Sequence, residues 1–355
     1  MMAPSRSGFE RLAIGLFITL LVVSTADAQR NIGKRKRQPS QGNSQMMHAE
    51  MPGESYRGPL PELTAGQVQV RDALRRDLAR LAGVIGQRNL QHPENYAAAA
   101  LFIEKSLQDM GYHVERQEYR AGRHHCVNLS ATVPGNEKAD QIVVVGAHYD
   151  SLNGTPGAND NGTGVVATLA LARMFAKQKP ACTLRLVFFA NEESPYFQTS
   201  QMGSLVYAKA CRARNENIVA MLSLETIGYY SDAKNSQQYP APLRAAYPST
   251  GNFIAFVGNT ESKDLVTRSI GVFRKQAKFP SEGGAVPGNI DGIGWSDHWA
   301  FWQVNYPAIM VTDTAPFRYP HYHQPSDTID QIDYDSMARV VSGLEAVVSD
   351  LLNAN

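Results

Sequence analysis

The stretch Gln141-Ile-Val-Val-Val-Gly146, running on through Ala147 to His148-Tyr149-Asp150-Ser151, decides how the rest of the chain folds. Its β-branched run shows no polar alternation. Such a strand is buried on both faces, so it needs a covering layer above and below. Similar runs recur at residues 183–190 (TLRLVFFA), 218–224 (IVAMLSL), 253–257 and 307–311. Helical periodicity fills the intervals at residues 164–175, 203–212, 263–275 and 334–352. Alternating strand and helix predicts a three-layer α/β/α fold, with an open, mostly parallel (mixed) central sheet and helices on both faces.

Upstream, Thr64 is placed to cap a helix carrying Val68, Val70, Leu74, Leu78, Leu81 and Val84 on one face. A second helix follows His92-Pro93, with Tyr96, Ala100, Phe102, Ile103, Leu107 and Met110 apolar and Gly111 as its stop.

Arg6 and Arg11 precede an apolar run, LAIGLFITLLVV at 12–23, and Ala26-Asp27-Ala28 offers a signal-peptidase site. Residues 1–28 are therefore expected to be a signal peptide. The run is short for a span of about 20 residues, so no stable membrane span is expected after cleavage. Residues 29–63, basic and polar (Arg30, Lys34, Arg35, Lys36, Arg37), read as a flexible leader. Residues 64–355 read as a single catalytic domain. The expected location is exported: periplasmic or secreted.

The chain has 355 residues, 43% hydrophobic and 19% charged, with formal net charge +1. That balance gives no reason to expect nucleic acid as a partner, and it leaves the oligomeric state open. Cys126, Cys182 and Cys211 contain no Cys-x-x-Cys pair, which argues against cysteine-based metal binding. They read as small buried hydrophobes, with Cys182–Cys211 the candidate pair for a disulfide.

Ligands of open α/β sheets bind beyond the carboxyl ends of the strands. His148, Glu192, Glu193 and Glu225 all fall there, and Asp160 and His323 occupy polar loops. Imidazole nitrogen and carboxylate oxygen both suit zinc. Alone, each is weak. A strand-end histidine is more often structural, Asp160 in Gly157-Ala-Asn-Asp-Asn-Gly-Thr-Gly164 would serve as a helix cap, and the pair Glu192-Glu193 would pass for solvated loop acids. Taken together, His148, Asp160, Glu193, Glu225 and His323 read as one metal cage. Glu192 is the carboxylate free to take a proton from water. Asp150, two residues past His148, points to the same side of an extended chain and can fix the imidazole tautomer.

The ordered set His-Tyr-Asp-Ser at 148–151, Gly-Ala-Asn-Asp-Asn-Gly at 157–162, Asn-Glu-Glu at 191–193, Leu-Glu-Thr-Ile-Gly at 224–228, Ser-Asp-His at 296–298 and His-Gln-Pro-Ser-Asp-Thr at 323–328 resembles the zinc aminopeptidases with co-catalytic metals. That family also holds glutamate carboxypeptidase-like and glutaminyl cyclase-like members. The likeness reaches weakly to residue 66 through Arg88-Asn-Leu-Gln-His-Pro-Glu-Asn95. It implies two Zn2+ per chain, with a single ion as the alternative. One ion would take His148, Asp160 and Glu225; the other Asp160, Glu193 and His323. It also implies Glu192 as general base, Asp150 as the residue orienting His148, Tyr322 as donor to the oxyanion, Asp297 as outer support, and a peptide with a free N-terminus as substrate.

Two features depart from the family pattern. Glu225 stands where Asp is common, which bears on both metal placement and recognition of the substrate amine. The segment 194–202 (SPYFQTSQM) is expected to line the substrate pocket with Tyr196 and Phe197, or else to pack as an ordinary helix entry. Within the fold the alternatives are a single-zinc glutaminyl cyclase and a carboxypeptidase. Outside enzymology the alternative is a non-catalytic binding protein.

Overall fold

The computed structural model describes residues 51–241 and 243–353. The expected signal peptide and all but residues 51–63 of the expected leader lie outside that range. Eight strands form one sheet: β1 (Val114–Ala121), β2 (His124–Val133), β3 (Lys138–His148), β4 (Cys182–Phe189), β5 (Asn217–Glu225), β6 (Ile254–Gly258), β7 (Ser281–Ala285) and β8 (Ala308–Thr312). Their spatial order is β1-β2-β4-β3-β5-β8-β6-β7. The centre β4-β3-β5-β8 is parallel. Antiparallel pairs occur at β1–β2, β2–β4 and β6–β8.

The β-branched run behaves as its composition requires. In β3, Val143, Val145 and Ala147 enter one core, while Ile142 and Val144 enter the core on the opposite face. In β4, Leu184, Leu186 and Phe188 face the first core, and Val187 and Phe189 the second. The first face is covered by α1 (Ala65–Leu78), α2 (Pro93–Asp109), α3 (Gly164–Phe175), α5 (Lys263–Gln276) and α7 (Tyr334–Leu352). The second is covered by α4 (Gly203–Ala213) and the short α6 (His298–Trp302). The expected three-layer α/β/α architecture is the observed one.

Local signals hold where the chemistry is local. Thr64 forms a reciprocal cap with Gln67: the Gln67 amide donates to Thr64 Oγ1, and the Thr64 amide donates to Gln67 Oε1. Gly111 follows α2 with φ +91. Val84 differs from expectation. The turns widen over Ala79–Ile85, which slips the apolar phase by one residue. Ile85 is buried, and Val84 is 67% exposed. The leader also differs, because residues 51–55 are held in place. Arg274 donates to the carbonyls of Met51, Pro52 and Gly53, and the Ser281 amide donates to Ser55 Oγ. All three cysteines are buried and unbridged. No helix among the described residues is long and apolar enough to cross a membrane.

Candidate metal centre

The fold brings every expected ligand to one end of the sheet. His148 ends β3 and Glu225 ends β5. Glu192 and Glu193 lie just past β4. Asp160 sits in the turn entering α3, and His323 in the loop between β8 and α7. His148, Asp160 and Glu225 offer ligand atoms all within 4.8 Å of one another, as do Asp160, Glu193 and His323. Asp160 belongs to both groups.

Within the first group, His148 Nε2 is 3.5 Å from Asp160 Oδ1 and 3.3 Å from Glu225 Oε2. Within the second, His323 Nε2 is 3.0 Å from Asp160 Oδ2 and 3.4 Å from Glu193 Oε2. Zinc bonds of about 2.0–2.2 Å in a tetrahedron put ligand atoms about 3.4 Å apart. Three of these four separations, 3.3 to 3.5 Å, are those of atoms arranged around a common centre, while the 3.0 Å between His323 Nε2 and Asp160 Oδ2 is also a direct hydrogen-bond distance. His148 adds a second sign. Its side chain is 1% exposed, yet neither ring nitrogen has a hydrogen-bond partner among the described residues. A buried imidazole whose nitrogens face only carboxylates at 3.3 to 3.7 Å, with no hydrogen bond satisfied, is costly unless something else engages it. The donor set fits zinc.

Neighbouring groups pin the candidate ligands. Asp150 accepts from the backbone amides of both Glu192 and Glu193, at 3.0 and 3.1 Å, and lies 3.4 Å from His148 Nδ1. One carboxylate therefore registers the end of β4 against the end of β3. Asp327 accepts from the amides of Asn159 and Asp160 and from the Tyr319 hydroxyl. Glu225 Oε2 accepts from Ser296 Oγ at 2.7 Å and from Asn161 Nδ2 at 3.2 Å. The longer side chain of Glu225 is thus accommodated by a fully buried serine beside it. Asp297 is fully buried near this cluster, and burial pushes its carboxyl up to about 7.

The electrostatics reflect how many acids are crowded into one buried place. Burial pushes Glu192 and Glu193 well above the ordinary carboxylate range, and neighbouring acids push them further. Burial likewise raises Glu225. Burial works against ionisation of Asp160 too, but the two imidazoles hold it below the usual range. His148 is raised despite its burial by the charges of Glu192 and Glu225 and by Asp150 and Asp160.

Beside Glu225 and Tyr322 opens a cleft of about 810 Å³, open solvent at its mouth included. Its walls carry Tyr239, Tyr247, Phe253, Trp295 and Phe317. Tyr322 also lies face to face with His323, ring centroids 3.8 Å apart. Burial drives its phenol far up, so it stays a hydrogen-bond donor at any physiological pH. Tyr196 and Phe197 do not reach this cleft. They pack against the first and second cores instead, as an ordinary helix entry would. Ser296 and Asp327 stood in quoted motifs without a role. Only their neighbours in space give them one.

Paired ligand trios at the carboxyl end of a mostly parallel sheet, with a spare buried carboxylate at Glu192, are the equipment of a metal-dependent hydrolase. The model of peptidase family M28 matches residues 128–348, and the chain belongs to that family, as its motifs implied. Among its relatives, YfbL of Escherichia coli (strain K12) is 34% identical over 282 residues, 77% of this chain and 86% of that protein. The structure of BSAP, a zinc aminopeptidase from Bacillus subtilis, aligns with a TM-score of 0.64 at 14% identity, over 83% of this chain and 97% of that one. A glutaminyl cyclase from Fimbriiglobus ruber aligns with a TM-score of 0.59 at 20% identity, over 83% and 97%. At those identities the two structures share the fold with this chain.

Proposed function

We propose that this protein is an exported zinc aminopeptidase holding two metal ions. The observation that carries the reading is the shared carboxylate: the two oxygens of Asp160 face two different imidazoles. His148, Asp160 and Glu225 would hold one ion, and Asp160, Glu193 and His323 the other. When bound there, zinc supplies Lewis-acid polarisation of the scissile carbonyl and lowers the pKa of attacking water.

The chain's own groups do the rest. Glu192 is 7% exposed. Its Oε2 lies 3.7 Å from His148 Nε2, at the edge of the cluster. It takes the proton from water and returns it to the leaving amine. Asp150 keeps His148 oriented. Tyr322, protonated and between ligand and cleft, donates to the developing oxyanion. The aromatic cleft takes the side chain of the N-terminal residue. Export rests on the signal-like pattern of residues 1–28, and residues 64–355 form the catalytic domain.

The test is purified protein titrated with zinc and assayed on a Leu-anilide and on a Gln-initiated peptide. Release of amine that rises to two zinc equivalents supports the reading. Ring closure of the Gln peptide without anilide hydrolysis replaces it with cyclase chemistry, and inactivity at all zinc levels removes both.

A further inference from the structure

Outside the ligand set, the most engaged side chain near the centre is Arg88. It precedes the family match, which begins at residue 128, and it is fully buried. Its Nε donates to Tyr149 O at 2.7 Å. Nη1 donates to the carbonyls of Gly86 and Pro156, and Nη2 donates to Gly157 O at 2.6 Å. Every acceptor is a backbone carbonyl; among the described residues no carboxylate pairs with it. Tyr149 directly follows His148, and Gly157 stands three residues before Asp160. Gly157 has φ +61 and no room for a side chain: a Cβ there would collide with Asp160 O and Ser151 Cβ, and would lie 3.2 Å from Arg88 Nη2.

The backbone beside Arg88 makes the same connection. The Arg88 amide donates to Ser151 Oγ, the Ser151 amide donates to Arg88 O, and Asn89 Nδ2 donates to Ser151 O. Ser151 adjoins Asp150, whose carboxylate registers Glu192 and Glu193.

We propose that Arg88 is a positioning residue of the metal centre: its planar fork ties the strand end leaving His148 to the turn entering Asp160, and so fixes the separation of these two ligands. This rests on the two-metal reading above. A guanidinium is suited to the task because it presents five donors in one rigid plane. An ammonium carries the same charge on a flexible stem and cannot span the same carbonyls. The role is geometric, since a bare cation beside the site would repel a metal ion rather than recruit it.

The experiment compares wild type, Arg88→Lys and Arg88→Met as full chains. Zinc affinity is read by chelator competition, ligand geometry by the visible spectrum of the cobalt(II) forms, and folding by circular dichroism. Both variants are expected to fold and to bind zinc about ten- to a hundredfold more weakly, the range for outer partners of a metal site, with altered cobalt bands. Lys at wild-type affinity and spectrum overturns the proposal, because charge alone would then suffice. So does Met at wild-type values. If neither variant folds, Asn89→Ala decides: a smaller loss of zinc affinity supports the brace, and an unchanged affinity overturns it. Wild-type protein that takes up no zinc removes the metal centre itself, and this proposal with it.

Discussion

The two carboxylate oxygens of Asp160 face different histidines, Oδ1 at 3.5 Å from His148 Nε2 and Oδ2 at 3.0 Å from His323 Nε2. Among the described residues, no other candidate ligand belongs to both trios. Asp160→Ala should therefore damage both ion positions at once. His323→Ala should spare the position built from His148, Asp160 and Glu225. Elemental analysis after dialysis reads the difference: below one zinc per chain for the first variant, close to one for the second. Two zincs retained by Asp160→Ala would sink the shared-ligand geometry.

Glu192 is predicted to act on protons and not on metal. Glu192→Gln keeps the volume and removes the base. Zinc content should stay at the wild-type level while kcat falls by about 10²–10⁴-fold, the usual contribution of a positioned acid–base group. A variant with normal zinc and normal kcat would discard the assignment. A variant that loses zinc would make Glu192 a ligand.

What the sequence made legible follows its physics. Strands buried on both faces announce themselves, and β3, β4, β5, β6 and β8 all lie over apolar runs. β1 (VERQEYRA) alternates charged and half-buried positions at an edge, and β7 (SEGGA) is glycine-rich. Neither carries an apolar run, because the sheet edge asks less of its residues. β2 was hidden for another reason: it mixes His, Asn and Ser with small apolar residues. Among the candidate ligands, His148, Glu193 and Glu225 were legible because they fall at or just past strand ends, whereas Asp160 and His323 lie in loops and stood out only as members of the ordered motif set. Ser296 against Glu225, and Arg88 against the loop after His148, were not legible. A contact across 71 positions, or across 61 to 69, leaves no local signature.

The aromatic cleft predicts preference for large apolar N-terminal residues. Each methylene buried there is worth about 0.8 kcal/mol, roughly fourfold in kcat/KM. Activity on anilides should rise from Ala to Leu to Phe. Phe317 forms part of the wall and stacks with Trp295, centroids 6.2 Å apart. Phe317→Ala should shrink the Phe-over-Ala preference by about tenfold and leave the Ala substrate nearly unchanged. An equal loss on both substrates would mean the cleft does not hold the substrate side chain.

At the opposite end of the sheet, Glu216 gives a stability test independent of the metal centre. Burial opposes ionisation of its carboxyl, but hydrogen bonds from Arg214 and Arg185 overcome it and hold the group down to about 2 from an ordinary 4.5. The folded state therefore binds fewer protons than the unfolded state between those values. Its stabilising contribution is complete above about 4.5, declines as the pH falls, and is gone below about 2. The difference in Tm between wild type and Glu216→Gln should be constant from neutral pH to about 5. It should then shrink steadily toward zero under acid. Using the difference removes the acid response that the buried carboxylates of the centre impose on both proteins alike. A gap that keeps its neutral-pH size at pH 3 would show that the arginines do not depress this carboxyl.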